Sequence, residues 1–293
     1  MNEKVSVVIP TYNYGRYLGE AIDSALNQSL PPHEVVVVDD GSTDNSSEVL
    51  AGYGDRIITL RQQNLGVGAA RNSGARVATG DFLAFLDADD YWAPEKLKKQ
   101  LAKFDEDAEI GLVHSGFRNV STDGSLIDEC TEGDEGSVAE QVLRMNHKVY
   151  ANTIVIKRDV FDKIGGYDTA KELHPSEDWD LIFRAARVTK FSFVAEPLLF
   201  YRQHGGGGHN NIPRMERAML LGFEKAFGDA EFQAMRTECY SKLYLILAGS
   251  YLQTGNYPAF LRNAAKSIWN SPSNLKHFAG FPIRRLRRAK SVN

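Results

Sequence analysis

One stretch decides the fold of this chain. Residues 64–90 have the sequence NLGVGAARNSGARVATGDFLAFLDADD. Helical spacing at 68–79 is followed by a continuous apolar run at 81–87, which predicts a β-strand buried on both faces. The strand runs into three aspartates in the motif DADD (87–90). Like charges crowded at the end of a buried strand require either a structural or a chemical explanation.

The preceding sequence repeats the same alternation of strand and helix. Apolar runs at 5–10 (VSVVIP), 34–42 (EVVVVDDGS) and 55–62 (DRIITLRQ) predict strands, and the segment at 17–28 has helical spacing. Helices that alternate with β-branched runs predict an α/β fold with a mostly parallel sheet flanked by helices. Ligands of such sheets bind beyond the carboxyl ends of the strands.

Three polar stretches fall at that edge of the predicted sheet: PTYN (10–13), DDGSTD (39–44) and DADD (87–90). Neighbouring carboxylates repel one another when ionised, and a divalent cation removes that cost. Mg²⁺ and Mn²⁺ prefer oxygen ligands, and Mg²⁺ usually shares one or two carboxylates with phosphates and water. The alternative is structural, because an aspartate could cap a helix at 94–104 that has Pro94 in its first turn.

Composition narrows the class of protein. The chain has 293 residues, of which 43% are hydrophobic and 25% charged, so one large domain with an appended subdomain is expected. A net charge of −4 offers no broad basic surface to nucleic acid. The two cysteines lie far apart, which predicts neither a disulfide framework nor a zinc site. Without a signal-peptide pattern or an apolar run of roughly 18 residues, we expect a cytoplasmic protein that does not span a membrane.

Four motifs carry a resemblance to a known family. They occupy residues 5–29 (VSVVIPTYNYGRYLGEAIDSALNQS), 34–46 (EVVVVDDGSTDNS), 64–90 and 176–185 (SEDWDLIFRA). In this order they resemble the inverting family 2 glycosyltransferases of the GT-A fold, over roughly residues 4–204. The resemblance implies a Rossmann-like catalytic domain and transfer of a sugar from a nucleotide-sugar donor, and it favours a UDP-sugar as that donor. It does not identify the sugar.

The resemblance implies a nucleotide site in the first two motifs. Pro10, Thr11 and Tyr12 resemble the loop that lines the base, where an aromatic face supplies stacking area. Asp40 resembles the aspartate that accepts a hydrogen bond from the uracil N3–H, since an ionised carboxylate accepts but does not donate. The alternative is an Asx-turn at DDGS (39–42).

The resemblance also implies roles in the third motif. Arg71 corresponds to a basic residue near the nucleotide and its phosphates, although a lone arginine on a helix is often a solvated surface residue. Asp87 and the adjacent Ala88 are implied at the ribose and nucleotide, with Asp87 able to share the metal. Asp89 is implied as the ligand of Mn²⁺ or Mg²⁺. Asp90 either orients Asp89 or caps the next helix.

The fourth motif supplies the implied general base. In an inverting transfer the acceptor hydroxyl attacks opposite the departing diphosphate, and a carboxylate takes its proton. By resemblance Asp178 is this base and Glu177 its neighbour. Trp179 could form a wall for the acceptor sugar or pack in the core. The structural alternative is a helix start with Ser176 as N-cap and acids in the first turn.

A glycine-rich segment follows the fourth motif. Arg202 and His204 precede four glycines at 205–208. The resemblance implies a mobile loop in which the arginine or histidine closes over the diphosphate.

The C-terminal part has helical spacing from about residue 213, and 248–272 resembles one hairpin of the tetratricopeptide type. We therefore predict a catalytic domain at 1–212 and a helical region at 213–293. Its tail at 278–293 interleaves basic and apolar residues, which is typical of a peripheral membrane contact or of a solvated tail.

The sequence leaves other function classes to compare. Processive family members carry a Q-x-x-R-W motif and membrane helices, neither of which occurs here, so we expect a non-processive bacterial type of enzyme. Its acceptor would be a saccharide or a lipid-linked saccharide in cell-surface polysaccharide or glycolipid synthesis. A sugar-1-phosphate nucleotidyltransferase would have a glycine-rich basic loop where this chain has PTYNYGRY (10–17). A non-catalytic nucleotide-sugar-binding module would not need Asp178. No oligomeric state is predicted.

Overall fold

Nine strands form one sheet in the part of the chain that the structure, a computed structural model, describes: residues 4–204 and 211–279. The order across the sheet is β3-β2-β1-β4-β8-β6-β9-β5, and β7 pairs with β6 outside this path. The bounds of the strands are β1 Val5–Thr11, β2 Glu34–Asp39, β3 Ile58–Arg61, β4 Phe82–Phe85, β5 Tyr91–Trp92, β6 Ile110–Val120, β7 Leu126–Cys130, β8 Val155–Lys157 and β9 Lys190–Arg202.

The first four strands are parallel, as their continuous apolar runs predict. In the pairing of these strands, Val8 lies opposite Val36 on one side and Phe85 on the other. All residues of β1 and β4 are buried. Beyond β4 the sheet is mixed, since β8 runs antiparallel to both β4 and β6, while β6 and β9 are parallel. The predicted α/β class is confirmed, and its parallel part is the N-terminal half of the sheet.

The described residues also form eleven α-helices. Their bounds are α1 Gly15–Leu26, α2 Ser46–Ala51, α3 Val67–Val77, α4 Lys96–Phe104, α5 Ala139–Leu143, α6 Arg158–Lys163, α7 Glu177–Ala186, α8 Ile212–Ala226, α9 Arg236–Gln253, α10 Tyr257–Asn270 and α11 Leu275–Ala279. The predicted helices at 17–28, 68–79 and 94–104 correspond to α1, α3 and α4, each with bounds shifted by one or two residues at an end.

Helix α3 lies unusually close to the sheet. A Cβ atom at Gly74 would lie 2.4 Å from Val8 Cγ1 of β1 and 3.2 Å from Val38 Cγ2 of β2. Only the absence of a side chain permits this approach. Arg71 precedes Gly74 by three residues and therefore lies on the same side of the helix.

A buried lysine fixes helix α4. Lys96 has no exposed surface, and its Nζ donates to the carbonyl oxygen of Thr153 at 3.0 Å and to the side chain of Gln100. Gln100 Nε2 donates to the same carbonyl oxygen at 2.9 Å. Burial lowers the pKa of Lys96 to about 7. Sequence periodicity placed this helix correctly, but it does not predict a buried lysine.

The described residues separate into two compact units, residues 4–142 with 147–204 and residues 143–146 with 211–279. The second unit is helical, and α9 packs against α10 as the predicted hairpin. Ser241 and Ser267 exchange hydrogen bonds between these helices, each hydroxyl donating to the other residue's carbonyl oxygen at 3.0 and 2.9 Å. Among the described residues, no helix has both the length and the apolar character needed to cross a bilayer.

Candidate active site

The loops that follow β1 and β2 are fastened to each other. Asn13 has a positive φ of 59°, and its N–H donates to Ser42 Oγ at 3.0 Å. Its side-chain oxygen accepts from the N–H of Thr43 at 2.8 Å. Gly15 N–H donates to Asp44 Oδ2 at 2.9 Å. These bonds link two adjacent strand ends, so the edge of the sheet is preformed there.

The first implied base-binding residues differ in accessibility. Pro10 and Thr11 are the last residues of β1 and are buried, whereas the ring of Tyr12 is 43% exposed. Of these three, Tyr12 is the residue that presents a side-chain face to a ligand. Pro10 and Thr11 contribute the strand end from which Tyr12 projects.

The turn after β2 is built by Asp39. Its Oδ1 accepts from the N–H of Ser42, three residues on, at 2.8 Å, so the DDGS segment is closed by a side-chain bond one residue wider than an Asx-turn. Its Oδ2 lies 3.3 Å from the guanidinium of Arg61. Asp39 therefore shapes the turn, and this leaves Asp40 for another role.

Asp40 anchors the segment that leads into α3. It is 3% exposed, and its Oδ1 accepts from Gln62 Nε2 at 2.7 Å and from the N–H of Leu65 at 3.0 Å. Its Oδ2 accepts from the N–H of Gly66 at 2.8 Å. Gly66 has a φ of 94°, a conformation that favours glycine. A carboxylate has about four acceptor positions, so Asp40 keeps limited capacity for a nucleotide base.

Arg71 joins two of the implied site residues. It is 4% exposed, and its two terminal nitrogens lie 2.7 Å from Asp87 Oδ1 and 2.7 Å from Asp178 Oδ1. Its guanidinium lies 5.0 Å from the ring centroid of Tyr167, and its Nε has no hydrogen-bond partner. Burial opposes the charge, but the carboxylate of Asp178 and its neighbours raise the pKa of Arg71. The surface alternative for Arg71 is therefore wrong.

Asp178 lies at the first turn of α7 with its side chain 38% exposed. Burial, together with Glu177 and Asp87, raises the pKa of Asp178, while Arg71 opposes the rise. Ser176 occupies the N-cap position, but its side chain makes no capping hydrogen bond. The purely structural account of SEDWD is thus incomplete.

The side chain of Glu177 is hydrogen-bonded to His174 and not to Asp178. Its Oε1 lies 2.9 Å from His174 Nδ1, and its buried Oε2 has no partner. Burial alone would raise the pKa of Glu177, but the bond to His174 reverses the effect and lowers it. Glu177 remains an implied site residue next to the acid that faces outward.

Asp89 and His204 come together across a separation of 115 residues. Asp89 Oδ2 lies 2.8 Å from His204 Nε2, with the side chains 21% and 5% exposed. Burial and the nearby charge of Asp87 raise the pKa of Asp89. Burial and a hydrogen bond to Asp89 raise the pKa of Tyr14 to about 12. Within residues 4–204 and 211–279, no three His, Cys, Asp or Glu side chains form a ready metal site.

Asp90 is a structural acid. It is 1% exposed, its Oδ1 accepts from the N–H of Arg202 at 2.9 Å, and its Oδ2 has no partner. Burial, then the charges of Asp89 and Asp87, raise its pKa strongly. The N-cap of α4 is Glu95, so the prediction that Asp90 could cap that helix is wrong.

Arg202 contacts the turn of residues 87–90 from inside the fold. Its Nε donates to the carbonyl oxygen of Asp89 at 2.9 Å, and one terminal nitrogen lies 2.5 Å from Glu20 Oε2. The guanidinium lies 4.7 Å from the ring centroid of Tyr17, and Arg202 is 7% exposed. These contacts hold Arg202 inside the fold, and its implied closure over a diphosphate stays a prediction. The glycines at 205–208, implied to form a mobile loop, lie outside the described residues.

Trp179 and Ala88 are both internal. Trp179 is 8% exposed, its Nε1 donates to the carbonyl oxygen of Val142 at 3.3 Å, and its ring stacks on Phe183 with centroids 5.7 Å apart. The core-packing alternative therefore describes Trp179 better than an acceptor wall. Ala88 is 2% exposed, so any contribution to a ligand comes from its main chain.

Sequence reasoning missed Tyr14, Tyr167 and His174. Tyr14 had a usable signal, since it follows the polar stretch at the end of β1. Tyr167 and His174 lie in a loop without periodicity, and only tertiary contacts bring them to Arg71 and Glu177.

The parallel strands end in acids that lie beside the buried Arg71 of α3, and ligands of α/β sheets bind at this edge. The model of the glycosyl transferase family 2 matches residues 6–165 of this chain, which is more than half of its length. The chain belongs to glycosyl transferase family 2, as its four motifs predict.

Individual relatives agree with this assignment. An uncharacterized glycosyltransferase of Nostoc sp. is 36% identical over 215 residues, which are 70% of this chain and 66% of that protein. TarS of S. aureus, solved with UDP-GlcNAc, superimposes with a TM-score of 0.68 at 20% identity and covers 91% of this chain and 81% of that one. The mannosyltransferase PcManGT of Pyrobaculum calidifontis, solved with GDP-Man and Mn²⁺, gives 0.63 at 20% identity, covering 99% and 83%. At these identities the structures show the shared GT-A-like fold.

Proposed function

We propose that the chain transfers a sugar from a UDP-sugar to an acceptor hydroxyl with inversion at the anomeric carbon. One observation carries the proposal: buried Arg71 lies 2.7 Å from both Asp87 and Asp178. The acid assigned to the donor and the acid assigned to proton removal therefore share one cation. A single site in which both acids meet is what a direct displacement requires.

Asp178 is the proposed general base. Its Oδ1 is engaged by Arg71, which leaves Oδ2 for the acceptor hydroxyl. The side chain is 38% exposed, so an acceptor can reach it. A carboxylate with a raised pKa is a stronger base than an ordinary aspartate, and Arg71 favours its ionised form. Arg71 also fixes the carboxylate in one orientation.

Asp89 and His204 are the residues that would hold Mn²⁺ or Mg²⁺. The donor set fits, because a buried carboxylate whose pKa is raised by burial and by Asp87 is relieved by a bound cation. The ion would supply positive charge to the departing diphosphate. The Mn²⁺ in the Pyrobaculum mannosyltransferase supports this assignment.

The donor nucleotide is proposed from the strand ends. Tyr12 presents an exposed ring for stacking, and Asp40 lies on a turn held by the loop of residues 62–66. The UDP-GlcNAc bound to TarS supports a UDP-sugar, while the GDP-Man of the archaeal enzyme is the competing choice. We infer a saccharide or lipid-linked saccharide acceptor, made into cell-surface polysaccharide or glycolipid on the cytoplasmic side.

A nucleotidyltransferase and a non-catalytic binding module each explain fewer of the contacts at this site than a glycosyltransferase does. A nucleotidyltransferase has no use for a second acid paired to the same arginine as the donor-side acid. A binding module needs no acid with raised pKa at the mouth of the site. The link between Arg71 and Asp178 therefore favours the transferase.

The test is a screen of UDP- and GDP-sugars with Mn²⁺ that reads the released nucleotide, followed by Asp178→Asn. We expect the variant to lose activity by about 10³-fold, since general base catalysis typically contributes 10²–10⁴. Its affinity for the donor, measured by calorimetry, should change little. Glu172→Gln, an exposed acid in the same loop, is the matched control. Full activity of Asp178→Asn would contradict the assignment of the base.

A further inference from the structure

The charge of the chain is divided unevenly along its length. Residues 239–293 contain no aspartate or glutamate and nine lysines and arginines. The rest of the chain is strongly acidic, because the whole protein carries a net charge of −4. A segment of this length with one sign of charge indicates an anionic partner. It lies beyond the residues matched by the family model, 6–165.

Helix α10 presents an apolar stripe to solvent. Tyr257, Leu261 and Trp269 are 53%, 63% and 89% exposed. At 3.6 residues per turn they fall within an arc of about 120°. The opposite face, with Asn263 and Ser267, is fully buried. These three exposed side chains are called the α10 stripe, and Leu275 of α11 continues its exposed apolar character at 60%.

A basic groove borders the α10 stripe. A cavity of about 420 Å³ in the helical unit is lined by Arg217, Arg262 and Lys266 among others. Arg262 directly follows Leu261 of the stripe, and Lys266 lies one turn before Trp269. The acid in the groove is already neutralised, because Glu216 accepts from Tyr251 at 2.6 Å and from Arg262 at 2.7 Å.

Arg217 is the available cation of this groove. It is exposed, and no hydrogen bond or ion pair engages it within residues 211–279. Lys266 lies 5.0 Å from the ring centroid of Tyr244, which leaves its ammonium open to a further anion. The groove therefore offers positive charge beside exposed apolar side chains.

We propose that the α10 stripe and the basic groove form a surface that binds anionic phospholipid bilayers. An exposed tryptophan flanked by leucines and basic residues matches the interfacial zone of a bilayer, where aromatic rings lie at the headgroup level. Basic side chains near the surface add attraction to anionic lipid. A nucleic acid or an acidic polysaccharide would use the basic residues but has no need of Leu261 and Leu275. This surface does not depend on the proposed transfer reaction.

Tryptophan fluorescence tests the proposal directly. The chain has three tryptophans, and Trp92 and Trp179 are 3% and 8% exposed, so a change in emission reports on Trp269. Vesicles of phosphatidylcholine with about one third phosphatidylglycerol should shift the emission to shorter wavelength, because anionic lipid recruits basic surfaces. Brominated phosphatidylcholine in the same vesicles should quench it. Pure phosphatidylcholine vesicles should do neither.

Cosedimentation with the same vesicles tests the residues. We expect the double variant Trp269→Ala with Leu261→Ser to bind at least about 10-fold more weakly, since interfacial binding scales with buried apolar area. Arg217→Gln with Lys266→Gln should weaken binding and reduce its salt dependence. The control is Leu126→Ser with Ile127→Ser, two side chains 59% and 55% exposed in β7, which should bind like wild type.

Three outcomes would overturn the proposal. The first is equal binding of the Trp269 variant and wild type, with circular dichroism showing that both are folded. The second is equal binding to heparin or to neutral vesicles. The third is an emission shift that grows with protein concentration without vesicles, which would indicate a second copy of the chain as the occupant. None of these measurements involves a nucleotide-sugar, so they do not bear on the transferase.

Discussion

Two acidic turns follow parallel strands of the same sheet and differ in what holds their carboxylates. In the first, residues 39–42 after β2, the acids accept mainly from backbone N–H groups. In the second, residues 87–90 after β4, they accept from the side chains of Arg71 and His204 and from the N–H of Arg202. Backbone donors fix a loop permanently, whereas side chains can exchange partners. The second turn is therefore the one suited to binding a cation and a diphosphate.

Among the variants that test this comparison, the one that removes the proposed metal ligand Asp89 should show the largest loss of turnover. We expect Asp89→Asn to lower turnover by at least about 100-fold, because metal stabilisation of a leaving group amounts to several kcal/mol. Turnover should be measured across a range of Mn²⁺ concentrations. Asp55→Asn, an exposed acid that precedes β3, serves as control. An unchanged Mn²⁺ dependence in Asp89→Asn would mean that the two turns are alike.

Loss of the bridging arginine should shift the pH dependence. Arg71 favours the ionised form of Asp178 and so lowers its pKa, against burial, which raises it. In Arg71→Gln the pKa of Asp178 should rise further, because the cation that lowers it is gone. A general base works when deprotonated, so the acidic limb of kcat should move to higher pH.

The pH profile of kcat between pH 4 and 9 measures this shift. Arg76→Gln, an exposed arginine on the same helix, is the matched control. A profile of Arg71→Gln that is merely scaled down, with its limb in place, would show that the arginine acts on the donor alone.

The first turn should respond as a structural element. Asp40→Ala leaves the N–H groups of Leu65 and Gly66 without their acceptor, which should lower the free energy of unfolding by about 1–3 kcal/mol. Urea denaturation measures it. The Mn²⁺ concentration for half-maximal activity should stay unchanged. A shift in that concentration as large as in Asp89→Asn would place Asp40 in the metal site.

The smallest expected effect belongs to Tyr14. Its hydroxyl donates to Asp89, and its own pKa is raised to about 12, so it stays protonated across the working range. Tyr14→Phe removes one donor from the second turn and should change the apparent affinity for Mn²⁺ by a few fold. Titration of activity with Mn²⁺ at saturating donor measures it. A loss as large as in Asp89→Asn would mean that Tyr14 touches the donor.

Local patterns predicted the parts of the fold that depend on local sequence. Strands β1, β2 and β4 and helices α1, α3 and α4 follow from apolar runs and helical spacing. The resemblance brought Asp87, Asp89 and Asp178 to one site, and the structure adds that Arg71 connects two of them across 107 residues. That contact could not be read from periodicity.

The burial of individual charged side chains could not be predicted from the sequence. Lys96 has the spacing of an exposed lysine on an amphipathic helix, yet its ammonium is enclosed by Gln100 and Thr153. Arg202 lies three residues before a glycine run implied to be mobile, but its side chain contacts Glu20 and Tyr17. In each case the deciding partners come from distant segments of the chain.

Gly74 couples the packing of α3 on the sheet to the position of Arg71. The missing side chain lets α3 lie close to the sheet, because a Cβ atom at Gly74 would lie 2.4 Å from Val8 Cγ1, and Arg71 lies one turn away on the same helix. An alanine at residue 74 would force α3 away from the sheet and displace the guanidinium of Arg71 with it. Substitutions at residue 74 should therefore reduce activity more than substitutions at the exposed Arg76 on the same helix.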